Sequence, residues 1–141
     1  FGVHLHPHPL DWLHLESSFE TVIGKQENEN YLPLIPANTF KNTFRTEFEI
    51  NKWLQQAYTF LSLESTFSQN NVSNFETKTA GYNLLNLGFG GDILLGNTKF
   101  ATSLSVNNIF NKKYIHHLSR LKPDGILNQG RNIVLVINFS I

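Results

Sequence analysis

Apolar and polar residues trade places at every second position along most of this chain. Leu13, Leu15, Phe19 and Ile23 hold odd positions, while His14, Glu16, Ser18 and Glu20 hold the even ones. Phe40, Phe44, Phe48 and Ile50 alternate in the same way against Lys41, Thr43, Arg45, Glu47 and Glu49. Leu85, Leu87, Phe89, Ile93 and Leu95 oppose Asn86, Gly88, Gly90 and Asp92. Phe100, Thr102, Leu104 and Val106 then oppose Ser103, Ser105 and Asn107. The last stretch sets Ile133, Leu135, Ile137, Phe139 and Ile141 against Asn132, Asn138 and Ser140, with Val134 and Val136 as exceptions. From Ala57 to Phe67 the pattern is looser, because Tyr58 and Phe60 take the polar parity. A period of two predicts β-strands with one apolar and one polar face, since successive side chains on a strand point to opposite sides.

The links between these stretches alternate as well. Turn chemistry sits at Pro7 to Asp11, around Asn51 and Lys52, and at Gly96 and Asn97. Long polar links fall at Gly24 to Pro36, Gln69 to Ala80 and Lys122 to Gln129. Short and long in turn predict an all-β, antiparallel up-and-down meander of about seven strands, with tight turns at one end and loops at the other. A Greek-key sandwich would not order its links so regularly. Phe48, Trp53, Phe100 and Phe139 are predicted at strand ends on the apolar parity, beside a short turn or the C-terminus. Rings at one level would form an interfacial girdle. Trp12 has the same height but the polar parity, so it joins such a girdle only if the register shifts at the turn.

Composition narrows the class. Eleven basic and eleven acidic residues leave no net charge, which removes the electrostatic reason to expect nucleic acid. The chain has no Cys, so neither a disulfide framework nor a Cys-based zinc site is possible. No run approaches the roughly 18 apolar residues of a membrane helix. A tilted spanning strand needs only about 9–11 residues, every second one apolar. The chain begins at Phe1 already alternating, without a signal-like leader, and is expected to be a piece of a longer polypeptide. About seven strands with a truncated start cannot close, since single-chain bacterial barrels use an even number, about eight or more. An open edge in hydrocarbon would leave backbone groups unpaired.

The last third resembles a known family. The segment from Ala101 through Asn107, Asn108, Ile109, Phe110, Asn111, Lys112, Lys113 and Tyr114 is similar to the V-x-N-L-F-N-K-x-Y element of TonB-dependent outer-membrane receptors, their penultimate strand running into the last extracellular loop. Gly130, Arg131 and Asn132, followed by an alternating strand, resemble the start of that family's final strand. The stretch Gly81 to Gly88 is similar to the preceding strand, and Ile35 to Thr39 to the start of an earlier one. The C-terminal Phe139, Ser140 and Ile141 depart from the aromatic last residue usual in outer-membrane proteins, with Phe139 near that place. The resemblance implies that residues 1–141 form the C-terminal part of a 22-stranded transmembrane barrel. It implies a bacterial outer-membrane location, with membrane lipid, the remaining strands and an N-terminal plug as partners. TonB would act through the missing N-terminal part. The activity implied is energised uptake of a scarce nutrient such as a ferric siderophore, haem or cobalamin. Asn107, Asn108, Phe110, Tyr114, Gly130, Arg131, Asn132 and Phe139 would serve wall architecture.

Other candidate chemistry is weaker than its architectural reading. His4, His6 and His8 are spaced like strand metal ligands, but Pro7 and Pro9 interrupt the strand and the topology puts them at the short-turn end. His116 and His117, with Arg120 and Lys122, are expected at the external end of the penultimate strand, where they could contact an anionic metal chelate. Glu16 with Glu20, and Glu47 with Glu49, are expected to hydrate a lumen wall or bond to a plug. Gly88, Gly90 and Gly91 precede no helix, so they predict bending or close approach by a neighbour and not a phosphate loop. No catalytic residue, metal or cofactor is expected. Two rivals stand beside the receptor reading. A soluble lipocalin-type barrel would turn its apolar residues inward and need about eight strands. A passive porin would share the lipid-facing pattern without a plug.

Overall fold

A computed structural model describes residues 2–5, 7, 10–50, 52–96 and 98–139. Seven strands make one sheet: β1 (Gly2–Leu5), β2 (Leu13–Glu20), β3 (Thr39–Phe48), β4 (Leu54–Thr66), β5 (Tyr82–Leu95), β6 (Thr98–Asn107) and β7 (Asn132–Phe139). Each strand pairs antiparallel with the one before it, in the order β1 to β7. A single 3₁₀ turn at Lys122–Asp124 is the one helical element among the described residues. β1 and β7 are the two sheet edges.

The register sorts the side chains into two faces. Leu15 pairs with Phe44, Phe44 with Leu61, Leu61 with Leu87, Leu87 with Val106 and Val106 with Ile133. One apolar row therefore crosses six strands. One residue along, Glu16, Thr43, Ser62 and Asn86 form the matching polar row. Among the described residues, none packs over this apolar row: Phe44, Leu61, Leu87 and Ile133 are 54%, 41%, 44% and 70% exposed. No large side chain is fully buried among the described residues. Two polar groups on the apolar face find partners within the sheet. Ser17 Oγ donates to Asn42 Oδ1 at 2.7 Å, and Thr102 Oγ1 donates to the Gly91 carbonyl at 3.1 Å.

Tyr58 and Phe60 lie on the polar face, as their parity predicts, opposite Glu47 and Arg45 in β3 and Gly90 and Gly88 in β5. These glycines leave room for the rings. A Cβ on Gly88 would sit 2.2 Å from Phe60 Cε1, and one on Gly90 would sit 2.5 Å from Tyr58 Cζ. The Arg45 guanidinium covers the same Tyr58 ring at 4.0 Å, a cation–π contact. The close approach expected of these glycines is made by neighbouring aromatic side chains.

Strand ends depart from the pattern at definite places. β2 stops at Glu20, so Ile23 belongs to the first long loop (residues 21–38) and is 74% exposed. β3 stops at Phe48, which leaves Glu49 and Ile50 in the short link. β4 begins earlier than the alternation suggests because a bulge intervenes: Gln55 pairs with Asp92, but Tyr58 pairs with Gly90. Gln56, at φ 47°, absorbs the extra residue and hides the parity of Leu54. β5 begins at Tyr82, where Tyr82 and Leu84 put apolar bulk on the polar face. The second long loop covers residues 67–81. The third covers 108–131, well beyond the Lys122 to Gln129 expected.

Phe48 ends β3, Phe139 ends β7, and Phe100 pairs with Phe139 across the ladder. The Phe100 and Phe139 rings are 6.0 Å apart, and Phe48 meets Phe89 at 6.4 Å. Trp53 lies in the short link before β4 and is 56% exposed. Trp12 does not join this set. Its carbonyl accepts the Glu47 amide at 2.8 Å, continuing the β2–β3 ladder without a register shift, and its side chain borders the polar side.

Candidate functional site

The three long loops gather at one end of the sheet and are tied together by polar side chains. Gln69, which is buried, donates from Nε2 to the Ile35 and Pro36 carbonyls of the first loop at 3.1 and 3.0 Å. Its backbone exchanges two hydrogen bonds with Thr79, pinching the second loop at its base. Glu76 extends the tie. Its Oε1 accepts the Leu34 amide of the first loop at 2.9 Å, and its Oε2 accepts from Ser73 Oγ at 3.0 Å and Ser73 N at 3.3 Å.

His117 carries the third loop onto this assembly. Its ring lies 3.8 Å from Glu76 Oε1 through Nε2, and 2.8 Å from Thr79 Oγ1 through Nδ1. Lys122 Nζ is 3.1 Å from the same Nδ1 and also donates to the Thr77 carbonyl. An ammonium can only donate, so Nδ1 is an acceptor and the neutral ring holds its proton on Nε2, toward Glu76. Burial and the Lys122 charge hold His117 below the usual imidazole range, against the pull of Glu76. Burial pushes Glu76 upward, yet the hydrogen bonds from Leu34 and Ser73 and the field of His117 leave it below the usual carboxylate value.

His116 and His117 both lie in the third loop, not on β6, which ends at Asn107. The His116 amide donates to Asn128 Oδ1 at 2.8 Å, and its Nδ1 accepts the Leu118 amide at 3.2 Å. His117 is 5% exposed and faces the second loop, whereas Arg120 is exposed on a turn. Of the four residues expected to meet a ligand, the fold thus brings His117 and Lys122 together. The His4, His6 and His8 side chains lie outside the described residues. Among the described residues, no three His, Asp or Glu side chains converge as metal ligands would.

Asn107, Asn108, Asn111, Gly130 and Arg131 close the third loop at its base. Asn107 Nδ2 donates to Asn132 Oδ1 at 2.9 Å across β6 and β7. Asn108, at φ 51°, donates its amide to Asn86 Oδ1, while its side chain both accepts the Lys112 N–H and donates to the Lys112 carbonyl. Asn111 Oδ1 accepts the Arg131 amide at 3.0 Å, and a Cβ on Gly130 would stand 2.5 Å from that oxygen. Arg131 Nη1 reaches the Ile109 carbonyl at 3.5 Å. Tyr114 packs on Tyr82 with ring centroids 4.3 Å apart, while Phe110 is 77% exposed. The two sequence elements are therefore one structural unit: Gly130 is small because Asn111 occupies its space.

At the opposite end, the polar face forms a hollow of about 810 Å³ bordered by Trp12, Arg45, Glu47, Tyr58, Asp92 and Asn138. Several of the charges at this hollow are paired. Arg45 Nε meets Glu47 Oε1 at 3.0 Å, His14 Nε2 lies 3.5 Å from Glu47 Oε2, and Lys99 Nζ meets Asp92 Oδ2 at 2.7 Å. Glu49 borders the same hollow and accepts the Gln56 amide at the bulge. Glu76, Thr79 and Gln69 carry no periodicity or spacing that marks them in the sequence, whereas Asn111 stands there only as one position of the V-x-N-L-F-N-K-x-Y resemblance. No protein-family model matches this chain, and no curated protein matches it.

Proposed function

We propose that this chain is the C-terminal wall of a TonB-dependent outer-membrane receptor, and that the whole protein imports a scarce nutrient using energy delivered by TonB. The observation that carries the proposal is the apolar row across six strands, which the described residues leave uncovered beside a polar, hollowed face. Fully burying one Leu or Phe side chain is worth about 1.5–3 kcal/mol, so a wall of half-exposed ones calls for an apolar surrounding. Lipid supplies it. Hydrogen-bonded Ser17 and Thr102 on that face fit the same surrounding, where an unsatisfied hydroxyl is costly.

The hollow with paired charges on the polar side favours a lumen over the apolar interior of a lipocalin-type barrel. The sheet has two free edges, β1 and β7, which in hydrocarbon demand further strands to close the ladder. A 22-stranded barrel with a plug is the closure that the motif resemblance implies. The alternation of short and long links supports an orientation with turns in the periplasm and the three tied loops outside.

The test is the mass of the natural polypeptide in detergent extracts of outer membranes, with peptide mapping on both sides of this sequence. The expected result is a much larger protein that opens with a plug domain and ends in these strands. A detergent-independent protein of about 16.1 kDa would overturn the proposal.

A further inference from the structure

A second cavity, of about 380 Å³, lies between the second and third long loops. Its lining carries four lysines, Lys78, Lys112, Lys113 and Lys122, and the packed ring pair of Tyr82 and Tyr114. No acidic residue lines it among the described residues. Glu64, whose field reaches Tyr114, is outside the lining. This concentration of charge is local, because the chain as a whole is neutral, with eleven residues of each sign. Bringing like charges around one space costs electrostatic free energy unless an opposite charge enters it.

The lysines differ in what occupies them. Lys122 is committed to the Thr77 carbonyl and His117, and the Lys112 backbone is held by the Asn108 side chain. Lys78 and Lys113 are exposed at the cavity and stand on different loops. The His117 tie to Thr79 and Glu76 sets the third loop against the second, and so holds the two backbone segments that carry Lys78 and Lys113 beside one another. Tyr82 is buried and Tyr114 half-buried, so the rings supply a firm apolar wall while the ammonium groups stand free to reorient.

We propose that this cavity binds a compact organic or inorganic polyanion, bearing phosphate or carboxylate groups, held by Lys78 and Lys113 and seated against the tyrosine pair. The volume lies within the roughly 300–1,000 Å³ of small-molecule sites and suits a ligand of few heavy atoms. The proposal deepens the receptor reading, on which it rests only for the side of the membrane that the loops face. Two sources share this chemistry: a soluble anion, and the phosphate headgroup of a neighbouring lipid.

The test uses the full-length protein in zwitterionic detergent micelles at low salt, titrated with pyrophosphate and, separately, with citrate, and followed by calorimetry. The expected result is saturable binding of at least one anion, weakened tenfold or more in the double variant Lys78→Ala/Lys113→Ala and weakened again by added salt. Both positions are exposed, and a circular-dichroism spectrum like that of the parent protein confirms an intact wall in the variant. Absence of saturable binding for both anions, or parental affinity in the double variant, overturns the site. Micelles doped with phosphatidylglycerol separate the two sources. Competition with the soluble anion assigns the site to a lipid headgroup, and no competition assigns it to a solute. Failure here leaves the mass and plug test of the receptor reading untouched, so the two outcomes are separable.

Discussion

The strand wall and the loop cluster are held together in opposite ways. In the wall, backbone ladders set the geometry, and the side chains of one face are left half exposed for an external medium to cover. In the loops, backbone pairing among the described residues is confined to isolated bridges such as Gln69 with Thr79, and the burial is polar: Gln69, Ser73, Asn108 and His117 are among the buried residues there. Each of these side chains bonds to a backbone group or to another side chain within the loops. The lesson is that the wall depends on its solvent, and the loops depend on specific partners. A substitution in the wall is therefore felt according to which face it occupies. A substitution in the loops is felt according to which bond it removes.

The largest test of that contrast sits on the apolar row. Leu87→Arg should destabilise the folded protein in phospholipid vesicles by about 2–4 kcal/mol if the row crosses the bilayer midplane. Ser105→Arg, on the polar face, should cost far less. Denaturant unfolding from vesicles measures both, and equal costs would remove the assignment of the faces. Next comes the glycine floor. Gly88→Val should cost about 1–3 kcal/mol through overpacking against Phe60, and Phe60→Ala in the same chain should return part of it. A loss that is the same with and without Phe60 would mean that the ring is not the cause.

In the loops, Asn108→Ala should cost on the order of 1 kcal/mol, because it removes the side chain that accepts from and donates to Lys112. Amide exchange at Lys112 should quicken while exchange in β4 stays slow; a uniform change across both would contradict a local bond. The smallest effect is pH dependence. His117 is held below the usual imidazole range, so its neutral form belongs to the tied state. The contribution is present above the ordinary histidine value, about 6.5, and is lost as pH falls through the lowered one. Glu76 acts in the same direction at lower pH: its depressed pKa makes the tie strongest above about 4.5 and weaker on acidification. Lys122 and His116 oppose the protonation of His117, and Glu76 favours it. Amide exchange at Thr79 should therefore quicken as pH is lowered toward 5, after correction for intrinsic rates. Slower exchange would reverse the sign of the argument.

Much of the wall was legible residue by residue. While the register sets the pairing of Phe44, Leu61, Leu87 and Val106 in one row, that they share one face follows from parity once the meander is assumed. So does the polar-face position of Tyr58 and Phe60, though not its reason, since Gly88 and Gly90 stand some thirty residues downstream and only the register sets them opposite. The bulge at Gln56 was not legible, because one extra residue erases the alternation that would reveal it. The loop contacts were the least legible. His116 and His117 stood out by residue type, but their place on a loop depends on where β6 stops. That stop is set by Asn108 adopting φ 51° and turning its side chain onto Lys112.

Strand identity, the sorting of faces and the alternation of short and long links were already decided by local chemistry, because a period of two is written in neighbouring residues and acts at short range. The docking of Glu76 on Leu34, of His117 on Thr79, and of Asn111 on the space left by Gly130 was decided only in three dimensions. These contacts join segments far apart in the chain, and polar partners chosen by distance and direction leave no periodic trace along it.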